Sequence, residues 1–481
     1  MPSVKHQLLS GIFYTAISKY SGIVISLIVS GILARIILPE EFGVVAIATV
    51  IIAFFNIFTD MGIGPAIIQN KDLDNTDLNK IFSFTLWTGI AISLLFFLCA
   101  WPISWFYDSD ILLTICQILS INLLFASINI VPNALLYKNK DFKFIAFRSL
   151  YIQIIGGGIA IIAAILGASL YALIINPIIS SILLFIISFK KNPLQIHFTI
   201  GVDAMKKIFT FSSYQFMFNV INYFSRNIDK LLIGKYMSMV ELGYYEKSYR
   251  LMMLPLQNIT HVVSPVMHPI FSDFQDNLHK LAKSYEKVIT SLAFIGFPIS
   301  VLLWFCAKEI VLIIFGNQWS PSIPVFQILS LSVGIQIILS TSGSIYQAAN
   351  DTKSLFICGL ISTILNVSGI LIGLFIFKSL EAIAWCICST FTSNFIICYV
   401  WMYNFTLKRN IKKFLKQLKS PFFLTSILTI ILNIIYHFTK DWQIFLSLSI
   451  KCFFFIIIFV TYIQLSNTYN IIGLIKSKIS K

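Results

Sequence analysis

Residues 81–106 read IFSFTLWTGIAISLLFFLCAWPISWF, and none of these residues is charged. A helix needs about 20 predominantly apolar residues to cross a hydrocarbon core about 30 Å thick. The stretch is therefore long enough to span a bilayer, whereas a surface helix of a water-soluble protein carries a polar face. It predicts a transmembrane helix, and the rest of the chain repeats the same pattern.

The composition of the whole chain supports a membrane location. Of the 481 residues, 57% are hydrophobic and only 11% are charged, and the mean hydropathy is +0.86. A water-soluble protein of this length needs more polar surface to cover its core. We therefore predict an all-α, polytopic membrane protein with about 14 transmembrane helices. The predicted spans lie near residues 11–38, 42–66, 81–106, 110–136, 143–166, 169–189, 207–235, 244–270, 287–307, 321–347, 353–377, 380–405, 421–438 and 443–465.

Lysine and arginine residues collect on one side of these spans. Connections after even-numbered spans hold nineteen of them, and connections after odd-numbered spans hold five. The positive-inside rule then places both termini in the cytoplasm. The same rule explains the net charge of +15, so we do not expect nucleic acid as a partner. The first span is too long for a cleaved signal peptide and stays in the chain as a helix.

The external connections are short, and they lack paired carboxylates or a His–Asp arrangement that could catalyse a reaction. All eight cysteines lie inside apolar spans, and we interpret them as packing residues. The six histidines show no metal-ligand spacing. We expect no enzyme activity, no metal site and no cofactor.

Two basic segments look amphipathic rather than spanning. In residues 407–420, apolar side chains fall on one helical face with Lys and Arg between them, and residues 471–481 are similar. We expect both to lie on the anionic inner leaflet. The predicted organisation is an N-terminal six-helix lobe (1–200), a C-terminal six-helix lobe (201–406), a basic connector (407–420), an extra helical hairpin (421–465) and a cytoplasmic tail (466–481).

The two lobes are predicted because the chain repeats itself. At a shift of 200 residues, Arg35 aligns with Lys235, Glu41 with Glu241, and Gly43 with Gly243. At a shift of 210, the run Gln-Ile-Leu-Ser recurs at residues 117–120 and 327–330. Each half has an even number of spans, so both halves share one orientation. A parallel repeat of this kind predicts transport by rocking of two lobes, which exposes a central site to each side in turn.

One face of the seventh span carries polar residues at the helical spacings of three and four. These residues are Gln215, Asn219, Asn222, Arg226 and Asp229, with Lys230 beside them. The first span has a matching face at the shift of 200. Its members are Thr15, Lys19, Gly22, Ser26 and Ser30. Ionisable groups are costly inside a bilayer, so we expect the two faces to line a polar cavity between the lobes.

Further cations in the spans make this predicted cavity positive, which suits an anionic cargo. The predicted substrate-binding residues are Lys19, Arg148, Asn219, Asn222, Arg226, Lys230 and Arg250. Asp60 and Asp229 are the candidates for coupling to protons or sodium ions. Other interpretations stay open at this stage. Arg226 and Asp229 could neutralise each other, Asp60 could brace a helix end, and Arg148 could reach the inner interface.

Several stretches resemble conserved segments of bacterial polysaccharide transporters. They are residues 34–43 (ARIILPEEFG), 60–69 (DMGIGPAIIQ), 223–234 (YFSRNIDKLLIG), 254–258 (LPLQN) and 315–319 (FGNQW). The chain is most similar to the Wzx-type exporters related to the colanic-acid transporter. These belong to the superfamily of multidrug, oligosaccharidyl-lipid and polysaccharide exporters.

The resemblance implies a V-shaped pair of six-helix lobes in the bacterial inner membrane. It also implies a flippase that moves undecaprenyl-pyrophosphate-linked oligosaccharide units to the periplasmic leaflet for O-antigen, capsule or exopolysaccharide assembly. Its partners would be membrane lipids and the polysaccharide polymerase with its chain-length machinery. No Gly-rich Lys-Ser/Thr loop for ATP is present in the sequence. Three alternatives remain: a cation-coupled drug exporter, a lipid II flippase, and a membrane-bound polymerase or acyltransferase.

Overall fold

The computed structural model describes residues 4–70, 72–196, 223, 226–272, 274–275 and 277–466. Every regular element in these ranges is helical, which confirms the predicted all-α class for this part of the chain. The chain forms two compact units, Met1–Gly243 and Tyr244–Lys481. The predicted lobe boundary at residue 200, and the predicted tail from residue 467 onward, lie outside the described residues.

The first unit contains helices α1 to α9 and the start of α10. Their bounds are α1 Val4–Ile36, α2 Pro39–Asp60, α3 Ile63–Gln69, α4 Asn75–Tyr107, α5 Asp110–Ile128, α6 Ile130–Lys138, α7 Phe142–Ile165, α8 Tyr171–Lys191, α9 226–236 and α10 Met239–Ser272.

The second unit contains the rest of α10 and the following helices. Their bounds are α11 Leu278–Phe305, α12 Ala307–Ile314, α13 Ser322–Ser330, α14 Val333–Leu339, α15 Ser342–Ala348, α16 Thr352–Ile372, α17 Leu380–Trp401, α18 Lys412–Thr439 and α19 Ile444–Leu465. Short 3₁₀ and π turns follow some of them, at Asn317–Trp319, Gly373–Phe377 and Met402–Thr406.

Eleven helices of the described chain are long and apolar enough to cross a membrane, and a bent pair raises the number to twelve. The protein is therefore a multi-pass membrane protein. Most of the predicted seventh span, residues 207–235, lies outside the described residues. The predicted eighth span corresponds to α10, which carries several charges. The count of fourteen stays a prediction.

Several predicted spans are broken rather than continuous. The second span divides into α2 and α3, because Met61 and Gly62 both have positive φ angles, 41° and 74°, which end a right-handed helix. The tenth span divides as well, and its two parts, Ser322–Ser330 and Val333–Ala348, meet at 43°. Hydropathy does not report such breaks, because they leave the apolar composition unchanged.

Helices begin where short polar side chains cap them. Asp74, Asn277, Asp351 and Ser379 each accept a hydrogen bond from the backbone N–H three residues later, at 2.6–3.2 Å. Each bond satisfies a donor that the first helical turn leaves unpaired. These caps extend α4 and α11 beyond the apolar spans that predicted them.

The residues just before Gly43 carry local signals for the start of a helix. Pro39 occupies the first turn of α2, where its missing N–H costs nothing, and Glu41 accepts a hydrogen bond from the Leu38 N–H at 3.1 Å. At the shift of 200, Ser238 accepts from the Glu241 N–H at 3.1 Å and starts α10. The two repeats therefore begin equivalent helices at equivalent positions.

These two helix starts cross at a backbone-to-backbone contact inside the first unit. A Cβ atom added to Gly43 would overlap the carbonyl oxygen of Met239, and one added to Gly243 would overlap that of Pro39. Pro39 and Met239 are themselves related by the shift of 200. The contact thus has the two-fold symmetry that the sequence repeat predicts, and only glycine fits at its two central positions.

The basic segment at residues 407–420 is not a separate element. α18 begins at Lys412 and continues without a break to Thr439, so residues 412–420 are the first turns of a membrane-spanning helix. The expected position of this segment on the inner leaflet stays a prediction.

A fully buried ion pair attaches α19 to α12. Lys451 is 0% exposed, and its Nζ lies 2.5 Å from Glu309 Oε1. The same Nζ donates to the Phe305 carbonyl oxygen at 2.9 Å, and Ser447 Oγ donates to Glu309 Oε1 at 2.7 Å. The lysine of the last span is thus turned toward protein, as its cost in lipid requires.

Candidate functional site

Lys19 lies on α1, which packs along α7 in the first unit. Contacts on both sides of Lys19 fix this pairing. Ser18 Oγ donates to the Ala146 carbonyl at 3.4 Å, and an added Cβ on Gly22 would lie 2.8 Å from Gln153 Oε1. Lys19 itself is half-buried and has no hydrogen-bond or ion-pair partner within the described part of the chain.

Arg148 is held inside the first unit. It is 6% exposed, and its guanidinium donates to Ser188 Oγ at 2.5 Å and to Asn133 Oδ1 at 2.9 Å. These partners lie on α8 and α6, so the side chain points into the helix bundle rather than toward the inner interface. Among the described residues, its Nε has no hydrogen-bond partner. In this structure Arg148 stabilises the packing of α7 against α6 and α8.

We expect Arg148→Met to lower the free energy of unfolding by about 1–3 kcal/mol, because the buried Ser188 Oγ and the half-buried Asn133 Oδ1 would both lose a charged donor. Thermal unfolding of the purified protein in detergent measures this change. Normal stability combined with lost polysaccharide export would contradict a packing role and would favour the substrate-binding role predicted from the sequence.

Three predicted site residues lie on α9. Arg226 is exposed and forms no ion pair within the described part of the chain, so Asp229 does not neutralise it there. Asp229 is 6% exposed, and Lys230 is half-buried. Asn219 and Asn222 lie outside the described residues, so the continuity of the predicted polar face stays a prediction. Within the described part of the chain, Arg226 and Lys19 are thus two cations without partners, on helices that the sequence repeat relates.

α9 is attached to α4 near its C-terminal end, and Tyr223, three residues before α9, is attached to α2. Tyr223 donates to the Val50 carbonyl oxygen on α2. Lys235 pairs with Asp108 at 3.1 Å, just beyond the end of α4. Sequence reasoning gave neither Tyr223 nor Lys235 a role, because nothing local in either residue indicates a partner more than a hundred positions away.

Asp60 is the last residue of α2 and is half-buried. It stands at the C-terminal end of the helix, where a carboxylate is not stabilised by the helix dipole. Its predicted coupling role stays a prediction. In the described residues, no group of three His, Cys, Asp or Glu side chains is arranged to hold a metal ion.

Lys247 and Arg250 lie on the part of α10 that belongs to the second unit. Arg250 is half-buried. Lys247 is 2% exposed, and its Nζ lies 4.9 Å from the centre of the Phe315 ring and 5.4 Å from that of Trp319. The segment FGNQW at 315–319 therefore packs two aromatic rings around a buried cation. Lys247 has a packing role here, and the aromatic residues at the two ends of residues 315–319 are the sequence signal for it.

Comparison with known sequences agrees with this architecture. The sequence model of a family described as polysaccharide biosynthesis protein matches residues 32–324. The teichuronic acid biosynthesis protein TuaB of Bacillus subtilis is 25% identical over 478 residues, which cover 95% of this chain and 96% of TuaB. The lipopolysaccharide biosynthesis protein WzxC of Escherichia coli is 23% identical over 375 residues, covering 77% of this chain and 76% of WzxC.

Two solved structures have the same fold. The lipid II flippase MurJ in an inward closed conformation aligns with a TM-score of 0.73 and 17% identity, covering 94% of this chain and 98% of MurJ. An inward-facing multidrug resistance transporter of the MATE family aligns with a TM-score of 0.61 and 15% identity, covering 83% of this chain and 99% of the transporter. At these identities the likeness shows the fold alone. Because the family match at residues 32–324 covers more than half of the chain, this protein belongs to the polysaccharide biosynthesis protein family.

Proposed function

We propose that this protein is a flippase that moves lipid-linked oligosaccharide units across the bacterial inner membrane for the assembly of a cell-surface polysaccharide. The family match carries the proposal, and relatives such as the succinoglycan biosynthesis transport protein ExoT of Rhizobium meliloti extend it to transport. ExoT is 22% identical over 394 residues, covering 81% of this chain and 78% of ExoT. A fold shared with a lipid II flippase supports a lipid-linked substrate.

The two partnerless cations give this proposal a chemical basis. Lys19 and Arg226 occupy aligned polar faces of the first and seventh spans, and neither has a partner within the described part of the chain. A cation in an apolar setting is stabilised by an anion, and a guanidinium can donate two parallel hydrogen bonds to a phosphate. We assign both to the pyrophosphate of an undecaprenyl-linked unit.

The remaining details follow from the sequence and belong to the same proposal. They are fourteen spans in two six-helix lobes, both termini in the cytoplasm, alternating access, and Asp60 or Asp229 as the proton or sodium ligand. The protein acts as a transporter without catalysis of its own. The polysaccharide polymerase and chain-length machinery would take its product.

We expect Lys19→Ala and Arg226→Ala each to reduce polysaccharide export by about tenfold or more, since each removes a charge-assisted contact to phosphate. Surface polysaccharide is measured in a deletion strain carrying each variant. The amount of protein in the membrane should not change. Lys143→Ala, an exposed lysine at the start of α7, is the matched control and should export normally.

The deletion strain separates the competing functions. Loss of a flippase leaves complete lipid-linked units on the cytoplasmic side, whereas loss of a polymerase lets single units reach the surface. Loss of a drug exporter changes drug tolerance alone. Full export in both Lys19→Ala and Arg226→Ala would remove the cation argument.

A further inference from the structure

A groove of about 380 Å³ lies on the first unit between α2, α4 and α9. Its walls expose only apolar atoms, and it is partly open to the surroundings rather than an enclosed cavity. Five aromatic side chains contribute to it: Phe54, Phe55, Phe106, Tyr107 and Tyr223. A volume of this size is typical of sites for small organic molecules, so the groove can hold a ligand or a section of one.

The tyrosine hydroxyl groups in the wall are already hydrogen-bonded to the backbone. Tyr107 donates to the Leu231 carbonyl oxygen at 3.3 Å, and Tyr223 donates to that of Val50. The Tyr107 bond joins α4 to α9, and the Tyr223 bond joins the residue three positions before α9 to α2. Both bonds leave the aromatic rings as the exposed surface. A polar ligand would lose hydration here without gaining hydrogen bonds from these hydroxyls. The groove therefore favours a hydrocarbon.

The groove reaches the end of α4, where large aromatic side chains are exposed. Trp101 is 50% exposed, Trp105 is 81% exposed and Phe106 is 49% exposed. Tryptophan concentrates at membrane–water interfaces, where its ring is apolar and its N–H can reach water. In the proposed orientation this is the periplasmic end of α4. One end of the groove thus lies near the outer interface.

A cation lies at the same end. Lys235 Nζ lies 4.9 Å from the centre of the Phe106 ring, which lines the groove, and donates to the Phe106 carbonyl oxygen. It also pairs with Asp108 at 3.1 Å, but the Asp108 side chain is 81% exposed. Such an exposed pair is weak, so the carboxylate can turn into water and leave the ammonium group to another anion.

We propose that, once the unit has left Lys19 and Arg226 for the periplasmic leaflet, this groove holds the isoprenoid chain of the lipid carrier, with the carrier phosphate beside Lys235. This inference rests on the proposed function, since it locates one part of that substrate. An apolar chain with an anionic head matches an apolar groove that ends at a cation. Isoprene units are branched and unsaturated, so they present a thick, polarisable chain to aromatic faces, whereas a saturated acyl chain is thinner.

Photo-crosslinking of the full-length wild-type protein tests the occupant. The protein is reconstituted in phosphatidylethanolamine–phosphatidylglycerol vesicles with a diazirine-bearing polyprenyl phosphate, irradiated and analysed by peptide mapping. We expect adducts within residues 50–55 or 103–107, removed by excess unlabelled polyprenyl phosphate and not by additional phosphatidylglycerol. Adducts elsewhere, or equal competition by phosphatidylglycerol, would overturn the proposal, the second by showing a general acyl-chain groove.

Two pairs of variants test the groove and its cation. Ile103→Trp places an indole in the groove and should reduce adducts about tenfold, whereas Leu98→Trp on the lipid-exposed side of the same helix should not. Lys235→Gln should reduce labelling by the phosphate probe up to about fivefold, and Asp108→Asn should not reduce it. Equal labelling of Ile103→Trp and Leu98→Trp would contradict the inference.

Measuring translocation of a lipid-linked oligosaccharide in the same vesicles distinguishes failure of the groove proposal from failure of the flippase proposal. If the wild type moves a lipid-linked oligosaccharide while Ile103→Trp moves it equally well and labels equally well, the groove inference fails and the flippase stands. If the wild type moves none, the flippase proposal fails. In that case adducts in the groove would still show that it binds polyprenyl phosphate.

Discussion

Replacement of Lys451 by Met is expected to destabilise the protein by about 3–5 kcal/mol, the range for breaking one side of a buried ion pair. Lys451 is fully buried, and Glu309 is 4% exposed. Without the ammonium group, the Glu309 carboxylate would keep only the hydrogen bond from Ser447 as compensation in a water-poor site. Thermal unfolding in detergent, followed by size-exclusion chromatography, measures the change.

A second substitution shows that the uncompensated charge is the cause. In Lys451→Met/Glu309→Gln both charges are absent, so most of the lost stability should return. Lys440→Met, at an exposed lysine near the turn between α18 and α19, is the matched control and should unfold like the wild type. A double variant as unstable as Lys451→Met would show that packing volume matters here rather than charge.

Gly43→Ala and Gly243→Ala are each expected to destabilise the protein by about 1–3 kcal/mol or more, because the new methyl group would overlap a backbone carbonyl oxygen. The obstacle is the backbone of the other helix start, at Met239 and Pro39 respectively, so no side chain can rotate away. The two helices would have to separate. Unfolding temperature and the amount of folded protein in the membrane report the effect.

Gly158 supplies the matched control for these two substitutions. It lies in α7, and a Cβ atom added there would have no neighbour within 4 Å. Gly158→Ala should therefore be neutral, or stabilising by about 0.5–1 kcal/mol through the greater helix propensity of alanine. Wild-type stability for both Gly43→Ala and Gly243→Ala would contradict the close backbone crossing.

Much of the local structure could be predicted from the sequence, because its signals act within one or two helical turns. An uncharged run such as residues 81–106 predicts a membrane helix without knowledge of any neighbour. Pro39 and Glu41 start α2 through contacts within four residues. The repeat at a shift of 200 aligned Gly43 with Gly243, and the reciprocal crossing of these two glycines shows the same relation in three dimensions.

The candidate site was predictable only in part. Lys19 and Arg226 stand out in the sequence as charges in apolar spans, and the structure leaves both without partners in the described chain. Arg148 and Lys247 give the same signal, yet Arg148 is bound by Ser188 and Asn133, and Lys247 is packed against aromatic rings. A buried charge looks identical in sequence whether its partner is a ligand or a distant helix.

The sequence by itself determined the helical class, the membrane location and the internal repeat, since each depends on composition or on spacing along the chain. The tertiary structure alone decided the partners of the buried charges, such as Glu309 for Lys451, and the apolar groove between α2, α4 and α9. These features join residues more than a hundred positions apart. Such contacts depend on how distant helices pack. The hydropathy and spacing of residues within any single segment are the same whether these contacts form or not.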